Sequence, residues 1–474
     1  MKSLLQEEAA TFYSALDEQP PVSVRYNPAK ITPGSNHPWE AAWEGSVPWS
    51  EKACYLNHRP AFTFDPCLHA GCYYVQEASS MFVEQALKQA LRGLTPSADP
   101  YLMLDLCAAP GGKSTLALSL LPENSLLVAN EVVGSRARIL QENLTKWGSP
   151  NVMITRNEAV DVGRLGPVFD VMLVDAPCSG EGLFRKDEAA VGEWSPEAVR
   201  QCALRQASIL EDSLPALKPG GYLIYSTCTY NTEEDEAIVK RLVDVEGLEP
   251  VPLTVDEAWK VTGSLLMGAD QLPVYRFLPH KTKGEGFFCC LLRKPLTEGE
   301  NNQSPMGAQR ETGKNTKQSK RSRQTVKSPF VITKAIKERL MQPEAYHWSV
   351  TEQGLIRAVP VNLLSVVTYL EASLNVLQVG ITVGEIKGDQ ALPHPVLALS
   401  TGLNRAAFPV CELSLKQAVD FLRREALVLP EDCPRGWVLL TYQDQTLGWA
   451  KNLGSRANNG WPVEWRIRSA NPFA

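Results

Sequence analysis

No stretch of this chain approaches the ~18 apolar residues that a membrane-spanning helix requires. The first residues, Met1 to Gln19, carry Glu7, Glu8, Asp17 and Glu18 and lack the apolar core of a secretory leader. A cytoplasmic protein with no membrane partner is expected. CxxC spacing is absent. The 11 cysteines are an odd number, with Cys67 and Cys72 five apart and Cys289 and Cys290 adjacent. Neither pattern suits a zinc site, so no metal is expected and the thiols are read as free. There is no excess of positive charge: 47 Lys and Arg face 53 Asp and Glu, a net charge of −6. A nucleic-acid partner would need a local basic surface. Internal repeats are also lacking.

What is present is an ordinary soluble composition, 44% hydrophobic over 474 residues, enough for two to four domains. Residues 295–328 are rich in Gln, Asn, Ser, Gly and Lys and nearly free of large apolar side chains. Such a stretch cannot bury enough surface to offset its ordering, and it reads as a basic flexible linker. Before it, strands (101–106, 125–131, 152–155, 169–175, 221–227, 286–293) alternate with helices (113–121, 135–147, one opening at Ser195-Pro196, one over 232–240). That alternation predicts an α/β fold with a mostly parallel sheet. Residues 1–95 read as a small α+β module. After the linker, residues 329–474 read as a helix over 414–424 with strands over 436–441, 446–452 and 462–467.

The run Asp105-Leu106-Cys107-Ala108-Ala109-Pro110-Gly111-Gly112-Lys113-Ser114 follows a strand and opens a helix. This places backbone N–H groups and the positive helix end at the carboxyl edge of the sheet. Two cofactors compete for it. A phosphate-wrapping loop needs glycine where Cys107 stands. S-adenosylmethionine has no phosphate, and its ribose wants an acid at the next strand end. Glu131, 20 residues beyond Gly111, suits that role against the alternative of a surface capping acid.

Two further strand ends carry thiols, in Asp175-Ala176-Pro177-Cys178-Ser179-Gly180 and Tyr225-Ser226-Thr227-Cys228-Thr229-Tyr230. C5 of cytosine is not nucleophilic. A thiolate adding to C6 makes it so, and a carboxyl group at N3 steadies the developing charge. A thiol of ordinary pKa, ~8.5, needs activation, and the helix expected over 232–240 lies ahead of Cys228. The residues do not rank the two thiols. Cys202, Cys289, Cys290 and Cys411 lie in apolar settings and read as core. His58 and His280 lack partner spacing.

With these motifs, and with Tyr73-Tyr74-Val75-Gln76-Glu77-Ala78-Ser79-Ser80-Met81, the chain resembles the RNA 5-methylcytosine methyltransferases. That class contains the bacterial ribosomal RNA small subunit methyltransferases B and F and the NOL/NOP/Sun proteins. The resemblance implies a Rossmann-like methyltransferase sheet over residues 96–294. Cys107, Ala108, Ala109, Pro110, Gly111, Gly112 and Lys113 would cradle S-adenosylmethionine and Glu131 would hold its ribose. Asp175 would lie near cofactor and base, with Cys228 as nucleophile and Cys178 assisting release. A third cofactor motif usually has Asp where this chain has Asn157-Glu158, and the role passes to Glu158.

Arg25, in Ser23-Val24-Arg25-Tyr26-Asn27-Pro28, resembles a family segment of the N-terminal RNA-binding module, where Arg25 and Tyr26 would join phosphate contact to base stacking. Lys186 is a second candidate phosphate contact. The segments Val379-Gly380-Ile381-Thr382-Val383-Gly384-Glu385-Ile386-Lys387 and Gly448-Trp449-Ala450-Lys451 through Trp465-Arg466-Ile467-Arg468 are similar to the methyltransferase F branch. They imply a PUA-like RNA-binding region with Lys451, Arg456, Arg466 and Arg468 toward phosphate. The implied partner is RNA, 16S ribosomal RNA or the 30S subunit, met by a monomer. A tRNA substrate, a P-loop-like NTPase and a non-catalytic RNA-binding assembly factor are the alternatives.

Overall fold

Leu102 and Leu104 pack on one face of the central sheet and Met103 on the other, all fully buried. A strand covered on both faces must be apolar throughout, which is why this one reads as a continuous run. The computed structural model describes residues 1–31, 39–296 and 330–470. Most of the linker expected over 295–328 lies outside the described residues.

The N-terminal strands β1 (Val22–Tyr26), β2 (Trp43–Ser46), β3 (Ala53–Leu56) and β4 (Tyr73–Val75) form an antiparallel sheet in the order β2-β3-β1-β4. The chain then enters the central sheet through β5 (Tyr101–Asp105), β6 (Ser125–Asn130), β7 (Val152–Thr155), β8 (Phe169–Asp175) and β9 (Leu217–Thr227). The short β10 (Glu249–Pro250), β11 (Val274–Phe277) and β12 (Phe287–Arg293) close one side. The five strands β9-β8-β5-β6-β7 are mutually parallel, and β12 lies antiparallel on β9. From β5 the chain winds outward through β6 and β7, then returns to β8 on the other side. The crevice between β5 and β8 is therefore the switch point at which open α/β sheets bind ligands.

The C-terminal strands are β13 (Tyr346–Val350), β14 (Leu355–Pro360), β15 (Val376–Val379), β16 (Ile381–Lys387) and β17 (Gln390–Pro393), then β18 (Val410–Glu412), β19 (Gly436–Tyr442), β20 (Gln445–Asn452) and β21 (Ala457–Asn459). They build two four-stranded sheets, except that β15 joins the central sheet antiparallel to β7. The preceding helix, Leu364–Ser373, buries Val366, Val367 and Leu370 in the core that covers one face of that sheet. Lys30 ties the regions together: its ammonium donates to the carbonyls of Ala70, Lys146 and Leu399 at 2.6, 2.6 and 2.8 Å. Burial pulls its pKa down to about 8. No described helix is long and apolar enough to cross a membrane.

Three local expectations need correction. The helix expected over 232–240 is Glu236–Asp244, because Asn231 to Asp235 are held in a turn by the Asn231 side chain on Glu234 N. Residues 462–467 are not a strand. Pro462 has no N–H to pair, the chain turns there (Trp465 N to Pro462 O, 3.3 Å), and Trp461 packs inward against Phe421. Cys202 is half-exposed on the helix Pro196–Ser213 rather than buried, whereas Cys289, Cys290 and Cys411 are core.

Candidate active site and cofactor cleft

The loop after β5 ends in Gly111, whose φ of +112° only glycine adopts easily, and the helix Gly112–Leu118 starts there. A cleft of about 210 Å³ opens above it, lined by Cys107, Ala108, Ala109, Pro110, Gly112, Lys113 and Asp175, with Tyr74 and Gln76 opposite. A Cβ on Gly112 would come within 3.3 Å of the Tyr74 ring. Asp105, at the floor, accepts from Ser114 Oγ at 2.6 Å through one oxygen, while Oδ1 is buried without a partner. Burial, chiefly, pushes its pKa up to about 7.

Arg25 does not face an RNA surface. It is buried behind the loop, where Nη2 donates to Thr115 Oγ1 and the Gly112 carbonyl, and Nε donates to Gln76 Oε1 at 3.1 Å. Its guanidinium stacks 4.8 Å from the Trp147 ring. Arg25 turns inward from β1, and acceptors on the first helical turn, the Gly112 carbonyl and the Thr115 hydroxyl, satisfy it. Lys186 is partly exposed and lies 3.6 Å from Glu285.

Glu131 is buried at the end of β6. Its Oε1 accepts from Val133 N at 2.9 Å. Oε2 has no hydrogen-bond partner, and Arg136 stands 3.5 Å away. An orphaned carboxylate oxygen beside a β-strand end is what a ribose hydroxyl donor fits. Glu158 is exposed, and neither it nor Glu131 lines the cleft. Its neighbour Asn157 is buried and committed to Asn375, accepting from Asn375 N at 2.9 Å ahead of β15.

The β8–β9 register sets Asp175 opposite Ser226, so the two thiol loops emerge side by side. Cys178 Sγ lies 3.2 Å from Cys228 Sγ. Asp175 Oδ1 accepts from Ser226 Oγ at 2.7 Å, and Oδ2 pairs with Lys113 Nζ at 2.7 Å. Burial disfavours the Lys113 charge, but Asp175, then Cys228 and Asp105, outweigh it and raise its pKa. The Cys178 thiol is pushed well up by its bond to Cys228, by burial and by the Cys228 and Glu234 charges. Cys107 is also raised, by burial and by three nearby carboxylates. The cation that interacts with the Cys228 sulfur is the Lys113 ammonium rather than a helix end. The start of the helix Glu236–Asp244 carries instead the buried Asp235 and Glu236, paired with Arg276.

Sequence reasoning missed Arg25 as a buttress, and it missed Glu181 and Glu234, buried beside the thiols. Glu181 directly continues the Cys178 motif, which was the available signal. Among the described residues no cluster of His, Cys, Asp or Glu could hold a metal.

Three family models match: the 16S rRNA methyltransferase RsmB/F over residues 92–293, the N-terminal domain of 16S rRNA methyltransferase RsmF over 1–78, and the methyltransferase RsmF PUA domain over 408–467. Ribosomal RNA small subunit methyltransferase F of Aliivibrio fischeri (strain MJ11) is 30% identical, over 92% of this chain and 88% of its own. That of Escherichia coli (strain 55989) is 32% identical, over 88% and 84%. A methyltransferase homolog protein from Pyrococcus horikoshii, 28% identical, superposes with a TM-score of 0.52 over 62% of this chain and 92% of that one. Matching models at both ends and in the middle, and a relative at this identity over most of both lengths, place the chain in the ribosomal RNA small subunit methyltransferase F family.

Proposed function

We propose that this chain methylates C5 of cytosine in small-subunit ribosomal RNA with S-adenosylmethionine, through a bond between Cys228 and C6. The observation that supports this most is the meeting of Cys228, Cys178, Asp175 and Lys113 at the rim of the cofactor cleft. The cleft residues 107–113 would hold the cofactor and Glu131 its ribose, with Glu158 a weaker candidate because it is exposed. When bound, S-adenosylmethionine supplies an electrophilic methyl group.

The charge arrangement favours Cys228 as nucleophile. The Lys113 ammonium interacts with Cys228, while the Cys178 thiol is held protonated by its bond to Cys228, then by burial and by the Cys228 and Glu234 charges. The Cys228 thiolate adds to C6, and the C5–C6 π pair moves toward C5 and N3. The Asp175–Lys113 pair is placed for N3, where the Lys113 ammonium offsets the developing charge. After methylation, a general base takes the C5 proton and the C–H pair restores C5=C6. The C6–S bond breaks as Cys178 donates its S–H proton to the departing Cys228 sulfur.

In this reading residues 96–294 are catalytic and residues 1–95 and 329–474 present the RNA. Arg456, Arg466 and Arg468 are exposed on the PUA-matching region and Lys451 is half-buried. Labelled S-adenosylmethionine incubated with 16S rRNA, 30S subunits and tRNA tests it. Label at cytosine C5 of 16S rRNA, lost in Cys228→Ala, is expected. Label on tRNA alone, or undiminished label in Cys228→Ala, would refute it.

A further inference from the structure

Glu181 and Glu234 are buried beside the thiols, and neither lines the cofactor cleft. A buried carboxylate is costly unless its oxygens are fully hydrogen-bonded. Both are, and the partners are exchanged between loops. Glu234 follows Cys228 in the chain, yet its Oε2 accepts from Ser179 N at 2.9 Å, next to Cys178, and from Gln206 Nε2 at 2.8 Å. Gln206 also donates to the Pro177 carbonyl at 3.0 Å. Glu181 follows Cys178, yet its Oε2 accepts from Thr229 Oγ1 and Tyr230 N, both at 2.8 Å, just past Cys228. Gly182 N completes the exchange by donating to the Cys228 carbonyl at 2.8 Å. Sliding one loop past the other would break all of these bonds together.

We infer that Glu181 and Glu234 are positioning residues, a reciprocal clamp that holds Cys178 within reach of Cys228 during release of the methylated base. The inference rests on the two-thiol reading above. The clamp acts after methyl transfer. Adding Cys228 to C6 needs one thiol, whereas expelling it needs both in register.

Glu234→Gln preserves volume but sets an amide donor against donor groups. Thr229→Val removes one donor to Glu181 and leaves that carboxylate its other partners. Each variant, with unfolding temperature and S-adenosylmethionine affinity measured alongside, is mixed with RNA and labelled cofactor and sampled through the first turnover. In Glu234→Gln, first-turnover transfer should stay within about threefold of the parent while steady turnover falls about 30-fold and a denaturation-resistant RNA adduct persists. Thr229→Val should show the same partition at about fivefold, and it carries the test if Glu234→Gln fails to fold. Parallel loss of first and later turnovers, or an unchanged partition in the folded variants, overturns the clamp. Cys178→Ala separates the two failures. If it traps an adduct while the clamp variants do not, only the clamp falls. If it traps none, the two-thiol reading itself falls.

Discussion

Arg25 donates to Thr115 Oγ1 at 2.6 Å across 90 residues of chain, joining the N-terminal sheet to the helix Gly112–Leu118 that follows the glycine turn. The same nitrogen reaches the Gly112 carbonyl at 3.2 Å. The side chain thus closes the back of the cleft from a different sheet.

Arg25→Ala should therefore lower stability by about 3 kcal/mol, the scale of losing buried bonds to a charged donor, and should weaken S-adenosylmethionine binding. Denaturant midpoints and calorimetric titration check this. Normal stability with selectively weakened RNA binding would restore the phosphate-contact role.

Lys113→Ala should reduce methyl transfer on the order of 100-fold, because it removes the positive partner of Asp175 and the charge acting on Cys228. Overall fold should survive, since the lost ammonium lies at the cleft rim. Single-turnover rates and circular dichroism check the split. Lys113→Met, which keeps the stem, should behave similarly.

Asp105 makes a pH-dependent contribution to stability. Its folded pKa is raised to about 7 from an unfolded value of 3.8. Between these values the folded state holds a proton that the unfolded state has released. The stabilisation is complete below pH 3.8, and it is lost as pH rises toward 7. His69 and His394, depressed by burial to about 3 and about 4, pull the opposite way as pH falls. The measurement is thus a difference: Asp105→Asn should flatten the profile relative to the parent between pH 4 and 7. Superimposable profiles from urea denaturation would refute the buried, proton-binding carboxyl.

Cys178→Ala should accumulate a covalent RNA adduct that survives denaturing gels, because addition needs only Cys228. Cys228→Ala should yield none. An adduct in the second variant and not the first would exchange the two roles.

Much of this molecule was readable locally. Strands β5, β7 and β8 show as apolar runs, and the Ser195 cap of the helix Pro196–Ser213 sits where Ser-Pro chemistry predicts it. The turn after β5 declares itself by its own glycines between a strand and a helix. These features depend on neighbours within a few residues, where turn geometry and side-chain period act directly. Tyr225 to Tyr230 likewise identified a thiol at a strand end.

Sequence by itself determined the parts: a glycine turn at 111–112, an acid after β6, and two thiols at strand ends. Only tertiary structure decided how they meet. The β8–β9 register brings sulfurs 50 residues apart to 3.2 Å, and a shift of one residue would turn them to opposite faces. Packing also turned Arg25 from a surface cation into a buried brace and placed β15, from beyond the linker, on the edge of the central sheet. Burial and long-range register are collective outcomes of the whole core, whereas a turn is set by its own few residues.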